Sequence, residues 1–144
     1  MGVGNILLRD EGVGVRVIEA MQRMKVPSNV ELVDGGTAGL DLLDVVADRR
    51  KVIAIDAVQA DNEPGTVFRF SADDFKPQGV VTISLHQVGL LETLMTAKHL
   101  GCAPQQVVIF GIEPKEMGYG LELSAEVAAV VPKVIELVFA ELKD

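Results

Sequence analysis

The chain is poor in the features that hold or place a protein from outside its core. A single cysteine, Cys102, excludes an intramolecular disulfide and leaves no mark of an oxidising compartment, so a cytoplasmic location is the expectation. No segment approaches the ~18 consecutive apolar residues of a membrane helix, and the opening MGVGNILLRDEG has no basic stretch followed by a long apolar one. Membrane insertion is therefore not expected. Ile6 stands where a myristoylation signal needs Ser or Thr. Basic residues are also scarce, 13 against 21 acidic ones, and the resulting charge of −8 argues against nucleic acid or anionic membrane as a partner. A partner with an electropositive patch fits better. Low-complexity tracts and linkers are missing too, which leaves little room for disorder.

What is present suits one compact domain spanning residues 1–144. Hydrophobic residues make up 49% of the chain against 24% charged, and 144 residues suffice to bury about two thirds of the surface of the unfolded form. Short β-branched runs alternate with longer helical ones, the pattern of an α/β fold with a largely parallel sheet. Val17, Ile18, Met21 and Met24 fall on one face of a helix over 12–25, ended by Pro27. Val30 to Val33 read as a strand broken by Gly35 and Gly36, and Leu40, Leu43, Val46 and Ala47 as a helix closed by the basic Arg49-Arg50-Lys51. Val52 to Ile55 lack polar alternation, as a strand covered on both faces does.

Turn residues Glu63-Pro64-Gly65-Thr66 precede Val67 to Phe70, whose alternation suits an antiparallel edge strand. Val80 to Ser84 supply another strand, 88–99 a helix, Val107 to Ile112 a buried strand, and Ser124 the N-cap of a helix running to about Leu142 with Pro132 inside it. The expected architecture is a three-layer α/β domain: a mixed, mostly parallel five-stranded sheet with helices on both faces, its first strand truncated. Only Met1-Gly2-Val3 precede the Gly4-Asn5 turn, where a strand of about five residues is usual. A gap in mid-sheet would leave ladder groups unpaired, so the natural start is expected further upstream.

Glu11, Asp56 and His86 each follow an apolar run that reads as a parallel strand. Strands that open at one edge of a sheet would bring two carboxylates and an imidazole together, a metal-site or hydrolytic constellation. Singly, each has a plain structural reading: an acid in a first helical turn, a loop cap, a polar loop histidine. Together they require a coincidence at one edge. Two oxygens and one nitrogen suit zinc, nickel, iron or manganese without choosing among them. The glycines of Asp34-Gly35-Gly36-Thr37 form either a turn or a close approach for an extended peptide that pairs with the exposed backbone. Gly2-x-Gly4 fails as a dinucleotide fingerprint, because Leu7 occupies the third glycine position and Asp10 and Glu11 at the helix start repel an anion. His99 and Cys102 read as a helix-end residue and a small apolar filler.

In this order Gly2-Val3-Gly4-Asn5, Asp10-Glu11-Gly12-Val13-Gly14, Asp34-Gly35-Gly36-Thr37, Asp56-Ala57, His86-Gln87 and Gly111-Ile112-Glu113-Pro114 resemble the hydrogenase maturation endopeptidases over nearly the whole chain. The resemblance implies that Glu11, Asp56 and His86 bind metal, and that Asp34, Gly35, Gly36 and Thr37 recognise the precursor. It implies a cytoplasmic enzyme that cleaves a C-terminal extension from the nickel-loaded precursor of a nickel-iron hydrogenase large subunit. Nickel is then the expected metal, delivered by the substrate, with zinc or another divalent ion as substitutes. Asp34 is the candidate carboxylate for water attack, and Asp56 the other candidate catalytic acid. The rival reading is a nickel-dependent escort that binds the precursor without cutting it.

Overall fold

A computed structural model of the protein describes residues 1–36, 42–71 and 85–143, with 85–88 described by backbone alone. The strands are β1 (Gly2–Val3), β2 (Asp34–Gly36), β3 (Lys51–Ala57), β4 (Val67–Ser71) and β5 (Gln106–Ile112). The helices are α1 (Val13–Met21), α2 (Leu43–Val46), α3 (Leu85–His99) and α4 (Ala125–Leu142). The strands form one mixed sheet in the order β2-β1-β3-β5-β4, parallel except where β4 runs antiparallel to β5 at the edge.

Both faces of the sheet are covered, which is why β3 and β5 are apolar without interruption. Ile53, Ile55 and Ala57 of β3, with Val108, Phe110 and Ile112 of β5, pack against α1 and α4. The alternate residues Val52, Ala54, Val107 and Ile109 meet Val46 of α2 and Leu90, Leu94 and Ala97 of α3. Close approach replaces side-chain packing at Gly14, where a β-carbon would stand 1.9 Å from the Ile55 carbonyl oxygen. The helix α1 therefore rests directly on the β1–β3 junction.

The first strand is short, and it lies mid-sheet between β2 and β3. Its ladder continues one residue further back: the Met1 ammonium donates to Ile53 O at 2.6 Å, and Ile55 N–H donates to Met1 O at 2.9 Å. Beyond Met1 lies a cavity of about 390 Å³, lined by Ile18, Met21, Val33, Ile53 and Val138 among others. Burial there lowers the pKa of the Met1 ammonium to about 5.

Several expected boundaries move. Residues 30–33 form no strand, because the register of β1 sets Gly2 against Asp34 and Val3 against Gly36 and leaves only the Val33 carbonyl to accept Gly2 N–H. Asp34-Gly35-Gly36 is thus strand β2 and not its break. A 3-10 turn, Arg9–Gly12, occupies the expected first helical turn, and α1 ends at Met21, leaving Met24 exposed. Asp56 lies inside β3, and His86 is the second residue of α3 instead of a loop residue ahead of it. Lys51 opens β3 and pairs with Glu141, so of the basic cluster Arg49 bonds the carbonyl of Val45 in α2. Ser124 is the N-cap residue of α4, but its hydroxyl is turned to Asp10. Leu40 and the run Val80 to Ser84 lie outside the described residues.

Candidate functional site

Strand order reverses between β1 and β3: from β1 the chain crosses to β2 on one side and then returns past it to β3. Crevices at the carboxyl ends of such strands are where open α/β sheets place ligands. The residues after β1, those of β2 and the end of β3 all meet at this edge.

Gly4 leaves β1 with φ of 130°, a backbone region that side-chain-bearing residues rarely enter. A β-carbon there would stand 2.0 Å from the Glu11 carbonyl oxygen and 3.5 Å from Asp56 Oδ1. The absent side chain at Gly4 is what lets the Glu11 turn and the Asp56 carboxylate share one place. Glu11 is half-buried, and that burial raises its pKa. Asp56 is 2% exposed and bonds the N–H of Ala57 through Oδ1 at 2.8 Å. The backbone of the Glu11 turn and the buried Asp56 carboxylate thus lie on the same glycine, and burial at Glu11 disfavours its charged form.

The direction of α3 sets where position 86 lies along the sheet. Leu90 belongs to the apolar cluster of Ala54 and Ala97 to that of Val52, so α3 runs antiparallel to β3 and its first turn lies toward the Asp56 end. Asp56 has the same parity as Val52 and Ala54, and so it projects to the α3 face of the sheet. The His86 side chain lies outside the described residues, and among those residues no group of three His, Cys, Asp or Glu side chains is close enough to hold a metal ion. The Glu11 turn and Asp56 meet at Gly4, and the direction of α3 sets its first turn toward the same end of β3.

Asp34 is exposed, and its Oδ1 accepts the Gly36 N–H at 3.0 Å. Gly36 O in turn accepts Gly4 N–H at 2.7 Å, so β2 is stitched to the residue beside Asp56. Gly35 is buried, and a β-carbon on it would lie 3.1 Å from Gly2 O. Thr37 lies outside the described residues.

Two further acids matter here. Asp10 is fully buried, and its carboxylate accepts the N–H groups of Lys115, Glu116 and Ser124 together with the Ser124 hydroxyl. Burial pushes its pKa up, and these hydrogen bonds outweigh that, leaving it lowered overall. It does not serve the dipole of α1, as its position in sequence suggests, but the loop and the start of α4. Glu113 is 5% exposed, and its Oε1 accepts the N–H groups of Ala60 and Asn62 at 2.9 and 3.0 Å, fastening the segment that follows β3. An acid's partners 51 to 114 residues away leave no local trace in a sequence.

Known proteins resemble this chain in sequence and in fold. A family model described as hydrogenase maturation protease matches residues 15–141. The hydrogenase 2 maturation protease of Escherichia coli K12 is 38% identical over 146 residues, covering 100% of this chain and 89% of that protein. The hydrogenase expression/formation protein HoxM of Cupriavidus necator is 41% identical over 140 residues, covering 94% of this chain and 69% of its own length. Among solved structures, the hydrogenase maturating endopeptidase HybD of E. coli superposes with a TM-score of 0.90 at 36% identity, over 99% of this chain and 89% of that one. The NiFe hydrogenase maturation protease HybD of Thermococcus kodakarensis gives 0.80 at 27% identity, over 96% and 93%.

Proposed function

This chain belongs to the hydrogenase maturation protease family, and from that membership we propose that it removes a C-terminal extension from the nickel-loaded precursor of a nickel-iron hydrogenase large subunit. The observation that carries the reading is the space at Gly4, which sets the Glu11 turn against the Asp56 carboxylate at the open edge of the sheet. In this reading Glu11, Asp56 and His86 hold the nickel that the precursor brings. Recognition by metal then makes cleavage conditional on a loaded substrate.

Peptide hydrolysis needs a water aimed at the scissile carbonyl and a group to take its proton. Asp34 and Asp56 are the candidate catalytic acids at this edge, and Asp34, being exposed, is the one assigned to the water. The β2 segment Asp34–Gly36 has little side chain to keep an extended tail away from its backbone, and Gly35, Gly36 and Thr37 are assigned to holding that tail. No described helix is long and apolar enough to cross a membrane, and a cytoplasmic enzyme is the reading that the lone cysteine favours.

The test is to incubate purified protein with nickel-loaded and nickel-free precursor and to follow precursor mass. Loss of the tail from the loaded form alone supports the proposal. A stable complex with an intact tail would show an escort instead.

A further inference from the structure

We propose that Asp10 is a positioning residue for Glu11: its buried carboxylate clamps the turn that carries Glu11 onto the segment 115–124, and the nickel site depends on that clamp. The inference rests on Glu11 being a nickel ligand, as proposed above.

The turn cannot hold itself. Arg9–Gly12 is a single 3-10 turn, with the poor hydrogen-bond geometry of its kind. Its first residue, Arg9, sits at φ of 48°, where a residue with a long side chain is strained and persists only when the surroundings over-determine it. Its hydrogen bonds to the distant part of the chain all run to one segment. Arg9 N–H donates to Gly120 O at 3.0 Å, Gly120 N–H to Leu7 O at 2.9 Å, and Asp10 N–H to Glu116 O at 2.9 Å. The side chain of Asp10 closes the arrangement. Oδ2 accepts Lys115 N–H and Glu116 N–H at 2.8 Å and the Ser124 hydroxyl at 2.7 Å, while Oδ1 accepts Ser124 N–H at 2.7 Å.

All four groups are donors as arranged, and three of them are backbone N–H groups that cannot reverse. Only an ionised carboxylate offers acceptors on both arms. An asparagine would face its NH₂ toward at least one fixed donor, so the clamp is specific to charge and not only to shape. The next residue is Glu11, whose carbonyl oxygen abuts Gly4 and, across it, the Asp56 carboxylate. Slack in the clamp therefore appears as displacement of Glu11 from Asp56.

The experiment compares the full chain with Asp10→Asn, Glu11→Gln and Val138→Ala, the last a core truncation in α4 that lowers stability away from the site. Two readouts are taken well below the melting temperature. Affinity for Ni²⁺ alone is measured by competition with a chromophoric chelator, and backbone amide exchange is followed residue by residue. The expected result for Asp10→Asn is nickel binding weakened about tenfold or more, the scale on which lost outer support acts in metal sites. Exchange should accelerate at 9–12 and 115–124 while β3 and β5 stay protected. Val138→Ala should bind nickel like the parent. Should Asp10→Asn not fold, Ser124→Ala removes one donor of the four and carries the same comparison, with a two- to threefold weakening expected. Nickel affinity unchanged in Asp10→Asn but weakened in Glu11→Gln overturns the clamp alone. So does exchange that rises across the whole chain with no local excess. Equal binding by the parent and Glu11→Gln, or no binding by either, overturns the ligand reading beneath it.

Discussion

A β-carbon on Gly4 would stand 3.5 Å from Asp56 Oδ1 and only 2.0 Å from the Glu11 carbonyl oxygen on its other side. Gly4→Ala therefore forces the Glu11 turn away from β3, and it does so at a φ that alanine resists. The expected cost is about 1–3 kcal/mol of stability for the backbone conformation alone, with precursor processing lost at temperatures where the variant is still folded. Circular dichroism melts beside a mass-based cleavage assay read both; wild-type turnover in a folded Gly4→Ala would remove the glycine from the site.

Replacing His86 by Ala should abolish processing with little change in stability. Asp56→Asn should do the same, because the amide keeps the shape and the Oδ1 acceptor for Ala57 N–H while removing the charge. Both are expected to lower turnover by at least about a hundredfold, as loss of a group needed at the reacting centre does. Single-turnover cleavage of loaded precursor decides, and retention of rate by either variant would sink its assignment.

Ile55 is 1% exposed in mid-sheet between two helical layers. A charge placed there has no partner, so Ile55→Asp should leave the domain unfolded. Loss of amide dispersion in a proton–nitrogen NMR spectrum would show it. By contrast, a surface change such as Tyr119→Ser, at a side chain 93% exposed, should move stability by less than about 0.5 kcal/mol.

Glu141 near the end of α4 accepts from Arg69 of β4 and from Lys51 of β3 at 2.9 Å. The Arg69 hydrogen bond lowers the Glu141 pKa, burial opposes it, and Lys51 adds to the lowering, so the folded value lies under the ordinary 4.5. The unfolded chain takes up this proton first on acidification. Stability from Glu141 is thus fully present above about 4.5 and is lost as pH falls below that through the folded value. Urea midpoints between pH 6 and 3 should decline less steeply in Glu141→Gln, which starts from a lower stability at pH 6. Parallel curves would contradict the linkage.

Most of the frame could be read from local pattern because its causes are local. The uninterrupted Val52 to Ile55 marked a strand covered on both faces, and the alternation of Val67 to Phe70 marked the antiparallel edge; both stand, β3 merely running on through Asp56 to Ala57. Where a partner decides, pattern failed. Val30 to Val33 have the residues of a strand, but the register of β1 sets Gly2 against Asp34 and Val3 against Gly36, so the ladder falls after them. Glu11 and Asp56 could be proposed from strand topology, while the burden carried by Asp10 and Glu113 could not, since their donors are contributed by distant backbone. A backbone N–H is common to every residue but proline and so leaves no signature in sequence.

The span of the Asp10 clamp also orders events at the ribosome. Its donors lie 105 to 114 residues downstream, so a growing chain exposes Glu11 roughly ten seconds or so before Ser124 has been added at ordinary elongation rates. Throughout that interval the turn lacks the donors of its far anchor. The Asp10 clamp is complete only once Ser124, at the start of α4, has docked on it.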